Sequence, residues 1–196
     1  MWTSEQVANW MRSFSTMIKE QQGYLSELDS AIGDGDHGTN MARGTTEIMV
    51  KIDASSAETA QDIFKVAAMA MISKTGGASG PLYGTAFMEM AKQVAITPDD
   101  IAAVIEAGLG GIKKRGNAAF GEKTMVDVWE PVIAGIRVGE LTVEKIDELV
   151  EATKMTKATK GRASYLGERS IGHIDAGATS SGYFFKSMIE EGLLDG

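Results

Sequence analysis

The chain has 196 residues, a length suited to one domain, and its 43% hydrophobic and 23% charged residues are the balance of a packed globular protein. Its formal charge of 19 − 27 = −8 argues against general binding to nucleic acid or anionic lipid. With no cysteine, no apolar run long enough to span a bilayer and no signal-like start, a cytoplasmic address is the default expectation.

The apolar periodicity predicts eight helices. The first opens after Thr3, with Gln6 as its capping-box partner, and aligns Val7, Trp10, Met11, Phe14 and Ile18 on one face. The second follows Gly38 through Met41, Ile48 and Met49, and the third starts near Ser56 with Ile63, Phe64, Ala67, Met71 and Ile72. The fourth follows the glycine run at 76–80 and carries Phe87, Met90, Ala91 and Val94. Thr97 as N-cap and Pro98 at the first helical position are expected to open the fifth, with Ile101, Val104, Ile105 and Leu109 inward. The sixth covers roughly 124–138, with Pro131 marking a kink or a late start. The seventh follows Thr142, and the last spans about 178–194. The only period-two alternation, at 136–141, is weak and short, so an all-α domain of antiparallel helices is expected.

Glycines concentrate at 33–38, 76–84, 116–121 and 161–177, which are the connections 1→2, 3→4, 5→6 and 7→8. In an antiparallel bundle alternate connections emerge at the same end. These four loops should therefore meet on one rim, and that rim is the expected active end.

The first loop carries Asp29 and then Gly33-Asp34-Gly35-Asp36-His37-Gly38-Thr39-Asn40. Three bare carboxylates packed together would repel one another, and a hard cation with oxygen ligands removes the conflict; a solvated acidic turn is the plainer alternative. The spacing is not that of an EF-hand. His37, Gly38, Thr39 and Asn40 open a helix, where free N–H groups and the dipole favour phosphate, although Thr39 or Asn40 could equally act as caps. The second loop, 76–84, is suited to a backbone phosphate cradle and lacks the Gly-Lys-Ser/Thr ending of a P-loop. In the third, Met125 serves either as core or as cover for an adenine ring. In the fourth, Arg162 and Arg169 are suited to phosphate, with one of them expected to clamp an acidic side chain instead.

Taken in order, Asp29 with Gly33-Asp34-Gly35-Asp36-His37-Gly38-Thr39-Asn40-Met41, Gly76-Gly77-Ala78-Ser79-Gly80-Pro81-Leu82-Tyr83-Gly84, Gly121-Glu122-Lys123-Thr124-Met125 and Gly161-Arg162-Ala163-Ser164-Tyr165-Leu166-Gly167-Glu168-Arg169 resemble the L subunits of bacterial dihydroxyacetone kinases over nearly the whole chain. The resemblance implies an eight-helix closed barrel with ADP or ATP bound at one rim, and two Mg²⁺ ions held by Asp29, Asp34 and Asp36. It implies phosphate contacts from His37, Gly38, Thr39, Asn40, Ala78 and Ser79, and an adenine pocket lined by Gly116 and Met125. Arg162 and the turn Asp175-Ala176-Gly177 would complete the site. One departure is visible: the family's Gly-His-Gln-Asp-Pro-Gly-Ala reads here Gly172-His173-Ile174-Asp175-Ala176-Gly177-Ala178, and loss of the proline should loosen that turn.

A chain without the dihydroxyacetone-binding domain resembles the phosphotransferase-dependent type. In that type a phosphohistidine carrier, the M subunit, recharges bound ADP, and the γ-phosphoryl passes to dihydroxyacetone on the K subunit. The K subunit's own histidine holds the substrate, so neither His37 nor His173 takes that role. Three other readings compete: an ATP-dependent kinase domain acting on another acceptor, a phosphohistidine carrier using His37, and a nucleotide-sensing interaction module.

Overall fold

The computed structural model describes residues 1–194. Nine α-helices are present among them: α1 (Ser4–Glu20), α2 (Gln22–Ile32), α3 (His37–Asp53), α4 (Ala60–Lys74), α5 (Ser79–Val94), α6 (Ile101–Gly116), α7 (Val126–Val138), α8 (Val143–Ala152) and α9 (Ala176–Glu190). Two 3₁₀ segments, Thr153–Met155 and Arg162–Ser170, lie between α8 and α9. The described residues form no strand, only an isolated bridge between Thr3 and Thr59. The segment 136–141 has no strand character, since it holds the end of α7 and the turn beyond it.

Helix α2 is additional to the eight expected. The backbone leaves the helix at Gln21 (φ −100°, ψ 11°) and resumes at once, and α2 buries only Leu25 and Ile32, too few to print an apolar stripe on the sequence. Both α1 and α2 pack on α3. Counted as one broken traverse they leave the alternation of loop ends intact. From α3 onward each helix packs on the next, and α9 returns to pack on α1.

One end of the bundle is closed by side chains. Thr3 and Gln6 make the expected capping box, with Thr3 Oγ1 accepting from Gln6 N (3.1 Å) and Gln6 Oε1 from Thr3 N (2.9 Å). Thr59 caps α4 and Thr142 caps α8. The expected Thr97 cap is corrected to Asp100, whose Oδ1 accepts from Ala103 N at 2.9 Å. Residues 97–100 form a turn closed by Asp100 N donating to the Thr97 carbonyl, so Pro98 precedes the helix instead of opening it. Pro131 neither ends nor delays α7, which runs through it.

A single continuous apolar core fills the interior, and Phe184 of α9 sits at its centre. Its ring stacks on Trp10 (centroids 4.4 Å apart) and on Trp129 (5.4 Å), with Phe14, Phe87 and Phe185 around its edges. The indole N–H of Trp10 donates to the Phe184 carbonyl at 2.8 Å, so the largest buried side chain leaves no orphaned donor. Phe184→Ala should therefore destabilise the fold by about 3–5 kcal/mol, read as a lower urea midpoint at unchanged slope. A shift equivalent to less than about 1 kcal/mol would show that this ring is not the keystone of the core.

Candidate functional site

At the opposite end of the bundle the four glycine-rich connections meet around a cavity of about 460 Å³. Asp29 lies in the last turn of α2, within the helix and not in the loop that follows. Its Oδ2 accepts the backbone N–H groups of Asp36 (2.9 Å) and His37 (3.1 Å), which folds the loop back on the helix that precedes it. Close approach requires glycine at 33, where a Cβ would stand 2.2 Å from Asp29 Oδ1, and at 35, where φ is +77°. The result brings carboxylate oxygens of Asp29, Asp34 and Asp36 within 4.8 Å of one another. Asp34 is also paired with the exposed Arg162 (Nη2–Oδ2, 3.0 Å), which ties the first loop to the fourth.

Three helices begin at this cavity without a cap from their N-cap side chain, α3 after Asp36, α5 after Ala78 and α7 after Met125, and only in α7 does a neighbouring hydroxyl, Thr124 Oγ1, accept a first-turn N–H. The N–H groups of Gly38, Thr39, Ser79 and Gly80 make no hydrogen bond to any described residue. Beside them, Asn40 Oδ1 accepts from Arg43 Nη2 (2.7 Å), while Arg43 Nε donates to the Lys74 carbonyl (2.6 Å). That pair of bonds fixes the start of α3 against the end of α4.

His37 is buried, and both of its ring nitrogens are engaged: Nδ1 with Ser79 Oγ (3.1 Å) and Nε2 with Ser180 Oγ (3.0 Å). Burial pushes its pKa below the ordinary 6.5, outweighing the pull of Asp29 and Asp36 toward the charged form. A histidine so enclosed offers no nitrogen to a phosphoryl donor, which counts against the carrier reading. Beyond Ser180 the polar contacts continue into the core through Tyr83, Ser181 and Trp129.

On the far side of the cavity, Lys123 adopts φ +61° and is almost wholly buried. Its ammonium donates to the carbonyls of Thr153 (2.6 Å), Thr156 (3.2 Å) and His173, spending its three donors on the 3₁₀ turn at 153–156 and on the segment before α9. The Thr153 hydroxyl accepts from Asp175 N (3.1 Å), and Asp175 Oδ2 caps α9 by accepting from Ala178 N (2.7 Å). Although the proline is missing, the turn is thus tied through Lys123, Thr153 and the cap, and Ala176 opens α9.

Of the residues singled out in sequence, Asp29, Asp34, Asp36, His37, Asn40, Ala78, Ser79, Gly116, Met125, Arg162, Asp175, Ala176 and Gly177 all line the cavity. Gly38 and Thr39 do not; they lie in the first turn of α3, where a Cβ on Gly38 would come within 2.0 Å of the Gln22 carbonyl. Met125 is both buried core and cavity wall. Leu82 and Ile112 complete an apolar slot beside Gly116 and Met125, and Arg115 and Lys160 add positive charge to the wall. None of these four was singled out in sequence. Leu82 was read only as part of the second loop, and no local pattern sets Ile112, Arg115 or Lys160 apart.

The DAK2 domain family matches residues 31–190. The chain is 52% identical over 184 residues to the ADP-binding subunit DhaL of PEP-dependent dihydroxyacetone kinase 1 from Listeria innocua, covering 92% of this chain and 93% of that one. It is 49% identical over 190 residues to the ADP-binding subunit DhaL of the PTS-dependent dihydroxyacetone kinase from Lactococcus lactis, covering 97% and 98%. Its fold is similar to the crystal structure of the dihydroxyacetone kinase from C. freundii in complex with AMP-PNP and Mg²⁺ (TM-score 0.77, 21% identity), with 95% of this chain covering 34% of that larger one. An all-helical DAK2 domain is thus the class that fold and site define. Within that class the chain belongs to the L-subunit family of dihydroxyacetone kinases, whose relatives are named as subunits of phosphoryl-transferring enzymes.

The Asp175 carboxyl is pushed up to about 6, first by burial and further by Asp127 and Asp29, against the opposing pull of Ala178 N–H and Lys123. Its folded value lies above the ordinary 3.8, so the native state holds the proton more tightly than the unfolded chain does. The ionised carboxylate therefore disfavours folding above about pH 6, and that penalty fades as pH falls through 6 toward 4. Asp175→Asn keeps a good N-cap and removes the charge. In metal-free protein its melting temperature relative to the parent should be higher at pH 7.5 than at pH 5. A difference that is the same at both pH values would refute the assignment.

Proposed function

We propose that this chain is the nucleotide-holding L subunit of a dihydroxyacetone kinase, keeping ADP/ATP bound as a coenzyme at the cavity rim. The observation that carries the reading is the meeting of three carboxylates within 4.8 Å beside two uncapped helix N-termini. Like charges so placed are unfavourable alone and become favourable once divalent cations bridge them to phosphate oxygens. The residues fit such a group: Asp29, Asp34 and Asp36 would hold two Mg²⁺ ions, which supply neutralising charge to a diphosphate or triphosphate.

The chain's own part is to bind, orient and shield. The first-turn N–H groups of α3 and α5, with Asn40, Ala78 and Ser79, receive the phosphates. Gly38 and Thr39 contribute through their backbone, since neither lines the cavity. His37 acts through Ser79, because its ring is fully engaged. Leu82, Ile112, Gly116 and Met125 take the adenine, in a slot narrow enough that a Cβ on Gly116 would sit 3.1 Å from Leu82 Cδ2. Arg162, held by Asp34 through an exposed pair that contributes little to stability, is free to turn toward phosphate. Asp175, Ala176 and Gly177 close the site from α9. No side chain is needed as a nucleophile or general base, because transfer proceeds by positioning and charge neutralisation.

In this reading residues 1–196 form one domain, phosphoryl groups arrive from a phosphohistidine carrier, the M subunit, and leave to dihydroxyacetone on the K subunit. The setting is cytoplasmic. Support comes from the names of the relatives and from the fact that no helix among the described residues is long and apolar enough to cross a membrane.

The reading is tested with Asp34→Asn, which changes one ligand without burying anything new. Helicity by circular dichroism should be unchanged, while Mg²⁺-dependent ADP binding by calorimetry should weaken by at least about tenfold. Retention of parent-like, Mg²⁺-dependent ADP affinity by this variant would overturn the metal assignment.

A further inference from the structure

Arg43 sits on α3 three residues beyond Asn40 and is not part of the cavity wall, yet its guanidinium is fixed at two points. Nε donates to the Lys74 carbonyl at 2.6 Å, and Nη2 donates to Asn40 Oδ1 at 2.7 Å. Lys74 is the last residue of α4, so its carbonyl has no partner within that helix. The negative end of the helix also favours a cation there. The anchor is within reach because α3 meets the end of α4 at Gly44, where a Cβ would overlap Thr75 Oγ1.

A guanidinium can only donate, so the end of the Asn40 amide that faces it has to be the carbonyl oxygen. An amide turned the other way would set N–H groups against N–H groups. Asn40 is only 7% exposed, so that arrangement would leave buried donors unmatched. Its Nδ2 is thereby directed away from Arg43, toward Gly77, where a Cβ would stand 3.6 Å from it. Asn40, Gly76 and Gly77 all line the cavity, and Nδ2 has no acceptor among the described residues.

The second loop is shaped around this bond. A Cβ on Gly76 would stand 2.5 Å from Asn40 Oδ1 and 2.9 Å from Arg43 Nη2, so a larger residue would wedge the pair apart. Gly76 does not have a positive φ, so close approach rather than conformational freedom accounts for the glycine. Helix α3, the end of α4 and the second loop thus converge on one amide and decide which of its two ends meets the cavity.

We infer that Arg43 is a positioning residue that locks the Asn40 amide with its nitrogen toward the cavity, so that Asn40 donates to a phosphate oxygen of the bound nucleotide. The inference rests on the nucleotide reading above and deepens it, by naming the residue that makes this side of the cavity select an acceptor-only group. An unsupported amide can present its oxygen as readily as its nitrogen, and an oxygen there would repel phosphate. Arg43 acts through Asn40 alone, since its two fixed nitrogens are spent on the Lys74 carbonyl and on Oδ1.

The test combines side-chain amide NMR of the full chain labelled with ¹⁵N-asparagine and calorimetry with Mg²⁺ and ADP. The chain has three asparagines, and Asn40→Ala identifies the Asn40 amide signals. Saturation with Mg²⁺ and ADP should move that pair of protons downfield; an unmoved pair overturns the inference. Asn40→Ala should weaken ADP binding about tenfold, the value of one hydrogen bond to a charged acceptor. Arg43→Met should weaken it by about threefold to tenfold, and the double variant should bind as Asn40→Ala alone does. Additive losses would show that Arg43 acts through its charge or through the fold, and parent-like binding by either single variant would show that the amide is not the phosphate donor it orients. Arg43→Lys keeps the charge and the stem but cannot place two donors on separate nitrogens, so it should lose as much as Arg43→Met. Parent-like binding by the lysine variant would overturn the orienting role. Failure of the unsubstituted chain to bind Mg²⁺ and ADP at all would sink the nucleotide reading itself, whereas binding that leaves the Asn40 amide unmoved would sink only the role given to Arg43.

Discussion

The two hydrogen bonds from Asp36 N and His37 N to the Asp29 carboxylate hold together groups that electrostatics would separate. They bend the chain between α2 and α3 so that three carboxylates face one another, and they set the point at which α3 begins. That starting point decides where His37 enters the interior, and His37 in turn joins α3 to α5 and α9. The glycines at 33 and 35 are consequences of the same bend, since a side chain at 33 would displace the Asp29 carboxylate itself. The local repulsion is tolerable because Asp34 is answered by Arg162 and because the carboxylates remain open to solvent on one side.

An acidic protein that takes up a polyanion has to reverse its own field over a short distance. Here the reversal is built from backbone rather than from a basic surface. The uncapped N-termini of α3 and α5 supply partial positive charge, and Arg115, Lys160 and Arg162 stand around the wall. The cluster of carboxylates adds a place where cations can be recruited. Because each contribution is short-ranged, the net charge of −8 elsewhere repels nonspecific polyanions without weakening the site.

Much of this was legible in the sequence, for a physical reason. Residues whose function requires a particular backbone shape leave glycine, proline or aspartate at fixed spacing, and the parity of antiparallel helices then gathers the loops that carry them. Asp29, Asp34 and Asp36 were singled out in this way, and Ala78, Ser79 and Gly116, which the family resemblance implied, line the same cavity. The extra break at Gln21 was illegible because a helix that resumes at once leaves no loop and α2 has almost no apolar stripe. The cap of α6 was misplaced because Thr97 followed by Pro98 and Asp100 followed by Ile101 are both acceptable starts. Only the turn closed at Asp100 separates them. The roles of Lys123, Ser180 and Ser181 lie in contacts between residues far apart in the chain, and no local pattern announces them.

The two ends of the bundle differ in how completely the protein satisfies its own backbone. Where Thr3, Thr59, Asp100 and Thr142 sit, helix starts are sealed by the chain itself and need nothing from solution. At the other end two starts are left open, and whatever occupies them serves as the missing seal. The first-turn amides of Gly38, Thr39, Ser79 and Gly80 are therefore the ones an occupant would cover, while the helix starts at the base are already covered by the chain. Loading then works like a stopper, tightening a vessel whose floor was already watertight.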